Sequence, residues 1–266
     1  MAGSGAHRVL AVVEYDGTEF LGFQIQHTGR TVQGEIEHAL AELTGRHVRI
    51  VGAGRTDSGV HAKGQVIHFS VVWDHPLLDL RRALNAVLPA DVAVAELRGA
   101  PPGFHARYSA RSREYVYTIY NGALRSPLVQ RYAFHVSSPL DAAAMNRACA
   151  GLVGEHDFMA FGWSPRSDGR GQVPASEAAD RPSTGRGTVR RVLQAACRRE
   201  GCFVCVDVVA DAFLRRMVRR IVGNLLLVGT GELGIEQFSG LLKLRHRRTP
   251  GVAAPGHGLC LVKVNY

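Results

Sequence analysis

Gly52-Ala53-Gly54-Arg55-Thr56-Asp57-Ser58-Gly59-Val60-His61-Ala62-Lys63-Gly64-Gln65 is a polar, glycine-rich stretch, and its flanks decide the fold. An apolar-rich run, Val48 to Val51, leads in, and an alternating run, Gln65 to Val72, leads out. Both flanks read as strands, so the stretch between them reads as a tight loop. Its glycines at 52, 54, 59 and 64 permit positive φ and close approach of a ligand to the backbone. Between them stand one carboxylate, Asp57, two cations, Arg55 and Lys63, the hydroxyls of Thr56 and Ser58, and the ring of His61. A short polar loop carried on two strands is a place to hold one reactive group. No G-K-S or G-K-T follows, which excludes a P-loop. The next element reads as a strand rather than a helix, which excludes a Rossmann fingerprint.

Outward from the loop, the first half of the chain reads β-α-β-β-α-β. A strand, His7 to Asp16, ends at the turn signal Asp16-Gly17, with Leu10, Val12 and the ring of Tyr15 expected inward. Thr31 caps a helix whose stripe is Val32, Ile36, Leu40 and Leu43, and Gly45 ends it. After the two strands around the loop, Leu77 to Leu88 is an amphipathic helix stopped by Pro89, and Val92 to Leu97 is a strand. Pro101-Pro102-Gly103 then breaks the chain.

The second half repeats the plan with one extra helix. Arg111 to Tyr120 alternates strictly, with Tyr115, Tyr117 and Ile119 on one face. Leu140 to Val153 is a helix, Trp163 to Gly187 a loop rich in Gly, Ser, Pro and Arg, and Thr188 to Ala196 and Cys202 to Val209 are strands. Helices from Phe213 to Val228 and Ile235 to Leu244 precede a final strand, Leu259 to Val264. The chain thus reads as α+β: two ferredoxin-like or RRM-like β-α-β-β-α-β units, 1–105 and 106–266, with antiparallel sheets flanking a central active-site cleft.

The 266 residues carry a formal charge of +9, mostly from arginine, which favours an anionic partner such as nucleic acid. No apolar run approaches the length of a membrane span, and Met1 to His7 lacks a signal-peptide core, so a soluble, cytoplasmic protein is expected. Five cysteines include Cys202 and Cys205, a C-x-x-C. In a strand this offset puts the two on opposite faces, and no second pair completes a zinc set, so reduced structural thiols are expected and no metal site.

Asp57 is the loop's one carboxylate; a lone acid does not suit a paired-acid glycosidase, but suits a nucleophile or base. Its structural alternative is an Asx-turn. On the helix Phe213-Leu214-Arg215-Arg216-Met217-Val218-Arg219-Arg220-Ile221-Val222-Gly223, the apolar stripe leaves Arg215, Arg216 and Arg220 outward and puts Arg219 at its edge.

Gly54-Arg55-Thr56-Asp57-Ser58-Gly59-Val60-His61-Ala62 resembles the active-site signature of the TruA family of tRNA pseudouridine synthases. Similarity extends to Glu14-Tyr15-Asp16-Gly17-Thr18, Phe104-His105-Ala106-Arg107, Arg113-Glu114-Tyr115, Asp157-Phe158, the Phe213 to Gly223 run and Ala254-Pro255 through Leu259. The resemblance implies that Asp57 is catalytic, that Arg219 pairs with it, and that Tyr115 contacts the target base. A neighbouring cation lowers a carboxylate pKa, so such an arginine keeps its partner ionised. It further implies isomerisation of uridine to pseudouridine at positions 38, 39 and 40 of the tRNA anticodon stem-loop, without metal or cofactor, by a homodimer that one tRNA crosses.

Arg55, Lys63, Arg107, Arg111 and Arg113, with the basic run Lys243 to Arg248, are candidates for RNA phosphates. Surface solubility is the alternative for each. Isoleucine stands at Gln24-Ile25-Gln26 where the family often has arginine, and Cys260 where it often has tyrosine. A non-catalytic RNA-binding module accounts for the charge and the RRM-like plan. It has no need of Arg55, Asp57, Tyr115 and Arg219 together. A pseudouridine synthase acting on another RNA is the second alternative, and these residues are common to both.

Overall fold

The structure, a computed structural model, describes residues 7–162, 187–244, 246 and 249–266. All but Gly187 of the loop expected from Trp163 to Gly187, and part of the basic run Lys243 to Arg248, lie outside them. The chain divides into two compact units. The first comprises residues up to Val116 with Leu128–Ala133 and Pro255–Tyr266; the second comprises Tyr117–Pro127 and Phe134–Ala254.

In the first unit the order is β1 (His7–Tyr15), α1 (Val32–Thr44), β2 (Val51–Gly52), β3 (His61–Val71), α2 (Leu77–Val87) and β4 (Val92–Gly99). β1 lies between β4 and β3, antiparallel to both, and β2 pairs antiparallel with β3. β1 buries Val9, Ala11, Val13 and Tyr15, with Leu10 buried from the opposite face, while Val12, expected inward, is only half-buried. Irregularities at Val12/Val13 and Val13/Tyr15 shift its register.

α1 is closed as its sequence dictates. Thr31 accepts a hydrogen bond from Gly34 N, and Gly45 sits left-handed at φ 66°. Among the described residues, no helix is long and apolar enough to cross a membrane.

The last strand does not stay with the half of the chain that precedes it. β10 (Leu259–Asn265) runs parallel to β3, with Cys260 opposite His61 and Leu261 opposite Ala62. The approach is close: a Cβ on Gly64 would overlap the Val262 carbonyl. β5 (Ser112–Tyr120) begins beside β10, where Arg111 N–H donates to Asn265 O at 2.8 Å.

In the second unit β5 continues, followed by β6 (Phe134–His135), α3 (Ala142–Ala150), β7 (Gly154–Asp157), β8 (Val189–Glu200) and β9 (Phe203–Ala210). β9, β8 and β7 are antiparallel neighbours, whereas β6 pairs parallel with β5. Among the described residues most of these pairings are antiparallel, while β3–β10 and β5–β6 are parallel. α4 (Met217–Gly229) and α5 (Ile235–Gly240) follow. The core gathers Met145, Phe158, Phe161, Ile221 and Phe238, all fully buried.

Three helices are shorter than their periodicity suggests; α5, expected to reach Leu244, ends at Gly240, where a 3-10 turn takes over. α3 starts after Asp141, whose carboxylate caps Ala144 N–H, and so excludes Leu140. α4 begins four residues after Phe213 because Arg216 adopts φ 62°, and a left-handed residue cannot continue a right-handed helix. Cys202 is exposed in the turn before β9, while Cys205 is buried within it.

Candidate active site

β2 ends at Gly52 and β3 begins at His61, which leaves Ala53 to Val60 as the loop. Ala53 N–H donates to Val66 O at 2.7 Å, and Gln65 Nε2 donates to Gly54 O at 2.9 Å. Val60 N–H closes a turn onto Asp57 O at 3.2 Å, with Gly59 at φ 73° supplying the left-handed position.

The Phe20–Phe23 segment is laced to this loop. Phe23 N–H donates to Thr56 O (3.1 Å), Gly59 N–H to Phe20 O (3.3 Å) and Ser58 Oγ to Phe20 O (3.2 Å). Gly22, at φ 112°, has to be glycine for a second reason: a Cβ there would stand 2.7 Å from Thr56 O. The Thr56 hydroxyl lies 2.8 Å from Tyr15 OH in the interior. Asp57 is thus gripped on both sides by its neighbours while its own side chain stays half-buried, beside exposed Arg55 and Ser58.

Tyr115, on β5, is 8% exposed. Burial pushes its phenol up to about 12; the charge of Arg113 opposes this, and those of Asp57 and Cys260 add to it. Asp57 and Tyr115 therefore stand within electrostatic range, and the phenol keeps its proton at neutral pH, able to donate a hydrogen bond.

The expected RNA-facing cations take different positions. Arg55, Lys63, Arg107 and Arg111 are exposed, and Lys63 lies beside Cys260. Arg113 is only 9% exposed; its Nη2 donates to Ala53 O at 2.9 Å and to Arg107 O at 2.8 Å. It clamps the base of the Asp57 loop to the chain around Arg107.

Arg219 is half-buried on α4 in the second unit. Its Nε donates to Ala254 O at 2.6 Å, and its own carbonyl accepts from Ala254 N–H at 2.9 Å. Its cation acts on Tyr117, whose fully buried phenol is raised by desolvation. Arg220, expected outward, is instead half-buried and donates to Ala160 O at 3.3 Å, because the chain beside Phe161 packs on this face of α4. Arg215 and Arg216 are exposed, as the stripe indicates.

Two further residues support the site: Asn224, which the sequence does not single out, and His61, which it places in the loop without a role. Asn224 is fully buried; its Nδ2 donates to Arg220 O (2.8 Å) and its Oδ1 accepts from Gly251 N–H (2.9 Å). His61 Nδ1 lies 3.0 Å from Gly17 N and 3.1 Å from Asp16 Oδ1, and Nε2 lies 3.1 Å from the carbonyls of Arg131 and His257. A polar residue set into an apolar helical stripe was the available signal for Asn224. His61 offered none beyond its place in the loop.

A family model described as tRNA pseudouridine synthase matches residues 11–109 and 148–266. The "tRNA pseudouridine synthase A" of Roseiflexus castenholzii is 45% identical over 258 residues, covering 96% of this chain and 88% of its own. Those of Moorella thermoacetica (44% identical; 95% of this chain and 96% of its own) and Geobacter sp. strain M21 (42%; 96% and 97%) are similar over the same extent. With a model spanning both units, and with relatives this similar over nearly their full length, the chain belongs to the tRNA pseudouridine synthase family.

Proposed function

We propose that the protein isomerises uridine to pseudouridine in tRNA, at positions 38, 39 and 40 of the anticodon stem-loop. The reaction breaks the N1–C1′ bond, turns the uracil and rejoins it to C1′ through C5; the C5 proton passes to solvent and N1 takes one up. No group leaves the RNA and nothing is oxidised, so no cofactor enters the balance. The observation that carries the reading is the anchored Asp57 loop, whose carboxylate acts on the buried phenol of Tyr115.

Asp57 is the catalytic group, at C1′, at C6 or as a base at C2′. Tyr115 contacts the target base, its neutral phenol fit to donate to a uracil carbonyl. Arg219 supplies the cation that keeps Asp57 ionised, on the strength of the F-L-x-x-M-V-R-x-x-V-G pattern at Phe213 to Gly223. Arg55, Lys63, Arg107 and Arg111 serve the RNA backbone, and their exposure supports this. Arg113 serves by shaping the loop. A base within a stem must be unstacked before reaction, at a cost of a few kcal/mol that phosphate contacts offset.

The two units are read as ferredoxin-like. In the first, the strand order β4-β1-β3-β2 supports this, and in the rest the succession β5-α3-β8-β9-α4-β10 does. A homodimer working in the cytoplasm completes the reading, from the family resemblance. The test is tritium release from tRNA labelled at uridine C5. Wild type releases it at mapped positions 38–40 and Asp57→Ala does not; release by the variant removes Asp57 from the chemistry.

A further inference from the structure

The turn between β4 and β5 ends a column of rings that runs from the interior to the surface. His68, on β3, is 5% exposed, and its ring lies 4.8 Å from that of His105. His105 in turn stacks on Tyr108, centroids 4.2 Å apart and planes 27° apart. Tyr108 is 37% exposed, and the Arg107 guanidinium stands 5.9 Å from its ring centroid.

Nothing in this turn is left loose. His105 Nδ1 accepts from the N–H groups of Arg107 and Tyr108, both at 3.2 Å. His105 N–H donates to Ser109 Oγ (3.0 Å), and Ser109 N–H to His105 O (2.9 Å). Ala106 N–H donates to His68 Nδ1 (3.0 Å), and Tyr266 OH donates to Ala106 O (2.8 Å). An exposed tyrosine held this firmly loses little freedom on meeting a ligand. Arg113, bonded to both Arg107 O and Ala53 O, joins the turn to the base of the Asp57 loop.

From these contacts we infer that Tyr108, backed by His105 and flanked by Arg107, is a stacking platform for an unpaired nucleobase of the bound tRNA. Aromatic side chains beside cations are how single-stranded bases are gripped without sequence readout, because every base presents a π-face. The ring supplies the stacking surface, and Arg107 and Arg111, both exposed, meet the adjoining phosphates. The platform rests on the proposed action on tRNA.

The test compares wild type with Tyr108→Phe, Tyr108→Leu and Tyr108→Trp, measuring tRNA affinity by filter binding and turnover by tritium release. Tyr108→Leu weakens tRNA binding about tenfold, within the range of one stacked base. Tyr108→Phe binds as wild type does, and Tyr108→Trp at least as tightly. Equal binding by wild type and Tyr108→Leu overturns the platform, as does a loss in Tyr108→Phe equal to that in Tyr108→Leu, which would assign the effect to the hydroxyl. Should Tyr108→Leu fail to fold, Tyr108→Trp decides: weaker binding than Tyr108→Phe overturns the inference. Wild type that binds tRNA but releases no tritium sinks the isomerase reading instead, and leaves the binding series to judge the platform alone.

Discussion

Tyr15 and Thr56, 41 residues apart in sequence, place their hydroxyls 2.8 Å from each other in the interior, one residue before Asp57. This pair ties the end of β1 to the catalytic loop, and burial holds the Tyr15 phenol well above the ordinary range, so it remains a neutral partner. Replacing Thr56 by Val keeps the shape but removes one of the two side-chain partners of the Tyr15 hydroxyl, the other being Gln65. Losing one such hydrogen bond costs about 0.5–1.5 kcal/mol. Denaturant unfolding of Thr56→Val is expected to show that loss. Tritium release falls with it, since Asp57 loses the anchor of its neighbour. Unchanged stability would mean that the two hydroxyls contribute nothing as a pair.

Gly17 lies under the same loop. A Cβ there would overlap the Val60 carbonyl, a backbone atom that cannot swing aside. Gly17→Ala therefore forces the loop to move, at a cost of about 1–3 kcal/mol for an overpacked site. The expected result is a lower melting temperature with turnover reduced more than tenfold. A stable, fully active variant would show that the loop tolerates the displacement.

Much of this site was legible beforehand, for a physical reason. Local signals such as the glycines of the loop, the Thr31 cap, Gly45 and the alternation of Tyr115, Tyr117 and Ile119 act within a few residues, and these features are present. What escaped depends on distant partners. Arg113 looked like a phosphate contact, and nothing nearby in sequence announces that Ala53 O is its acceptor, 60 residues away. Arg220 sat on the outward side of a sound helical stripe until residues around Ala160 covered it. The pairing of β10 with β3 spans almost 200 residues and has no local signature.

Arg113 should therefore act on the loop rather than on RNA phosphates. Arg113→Met keeps much of the stem but abandons the carbonyls of Ala53 and Arg107, hydrogen bonds to a charged group worth about 1.5–3 kcal/mol in all when lost. Unfolding measurements on the free protein should show this loss in the absence of any RNA. A variant as stable as wild type, impaired in tRNA binding alone, would return Arg113 to the role of a phosphate contact.

Alkaline pH should weaken the fold in a defined window. Tyr115 is raised to about 12 by burial, against 10 when unfolded, and Tyr15 and Tyr117 are raised by the same cause. Between these limits the folded state holds protons that the unfolded state releases. Stability is then fully present below pH 10 and falls as pH rises through 12, by about 1.4 kcal/mol per unit for each such group. Tyr115→Phe should flatten the decline by one group's share. Equal slopes in the two proteins would show that the Tyr115 phenol is not shifted.

Asn224 offers the sharpest test of how Arg219 is held. Its amide joins Arg220 O on α4 to Gly251 N–H, and three residues further on Ala254 accepts from Arg219 Nε. Asn224→Leu leaves the buried Gly251 N–H unpaired, a penalty of about 1–3 kcal/mol, and loosens the strand of chain that carries Ala254. Turnover should fall through kcat rather than through tRNA affinity, because the groups that meet RNA are untouched. If the two residues act as one unit, Arg219→Ala on the Asn224→Leu background costs less than on wild type, the non-additivity expected of sites that share a partner. Strict additivity would separate them, leaving Asn224 a residue of the core with no part in holding Arg219.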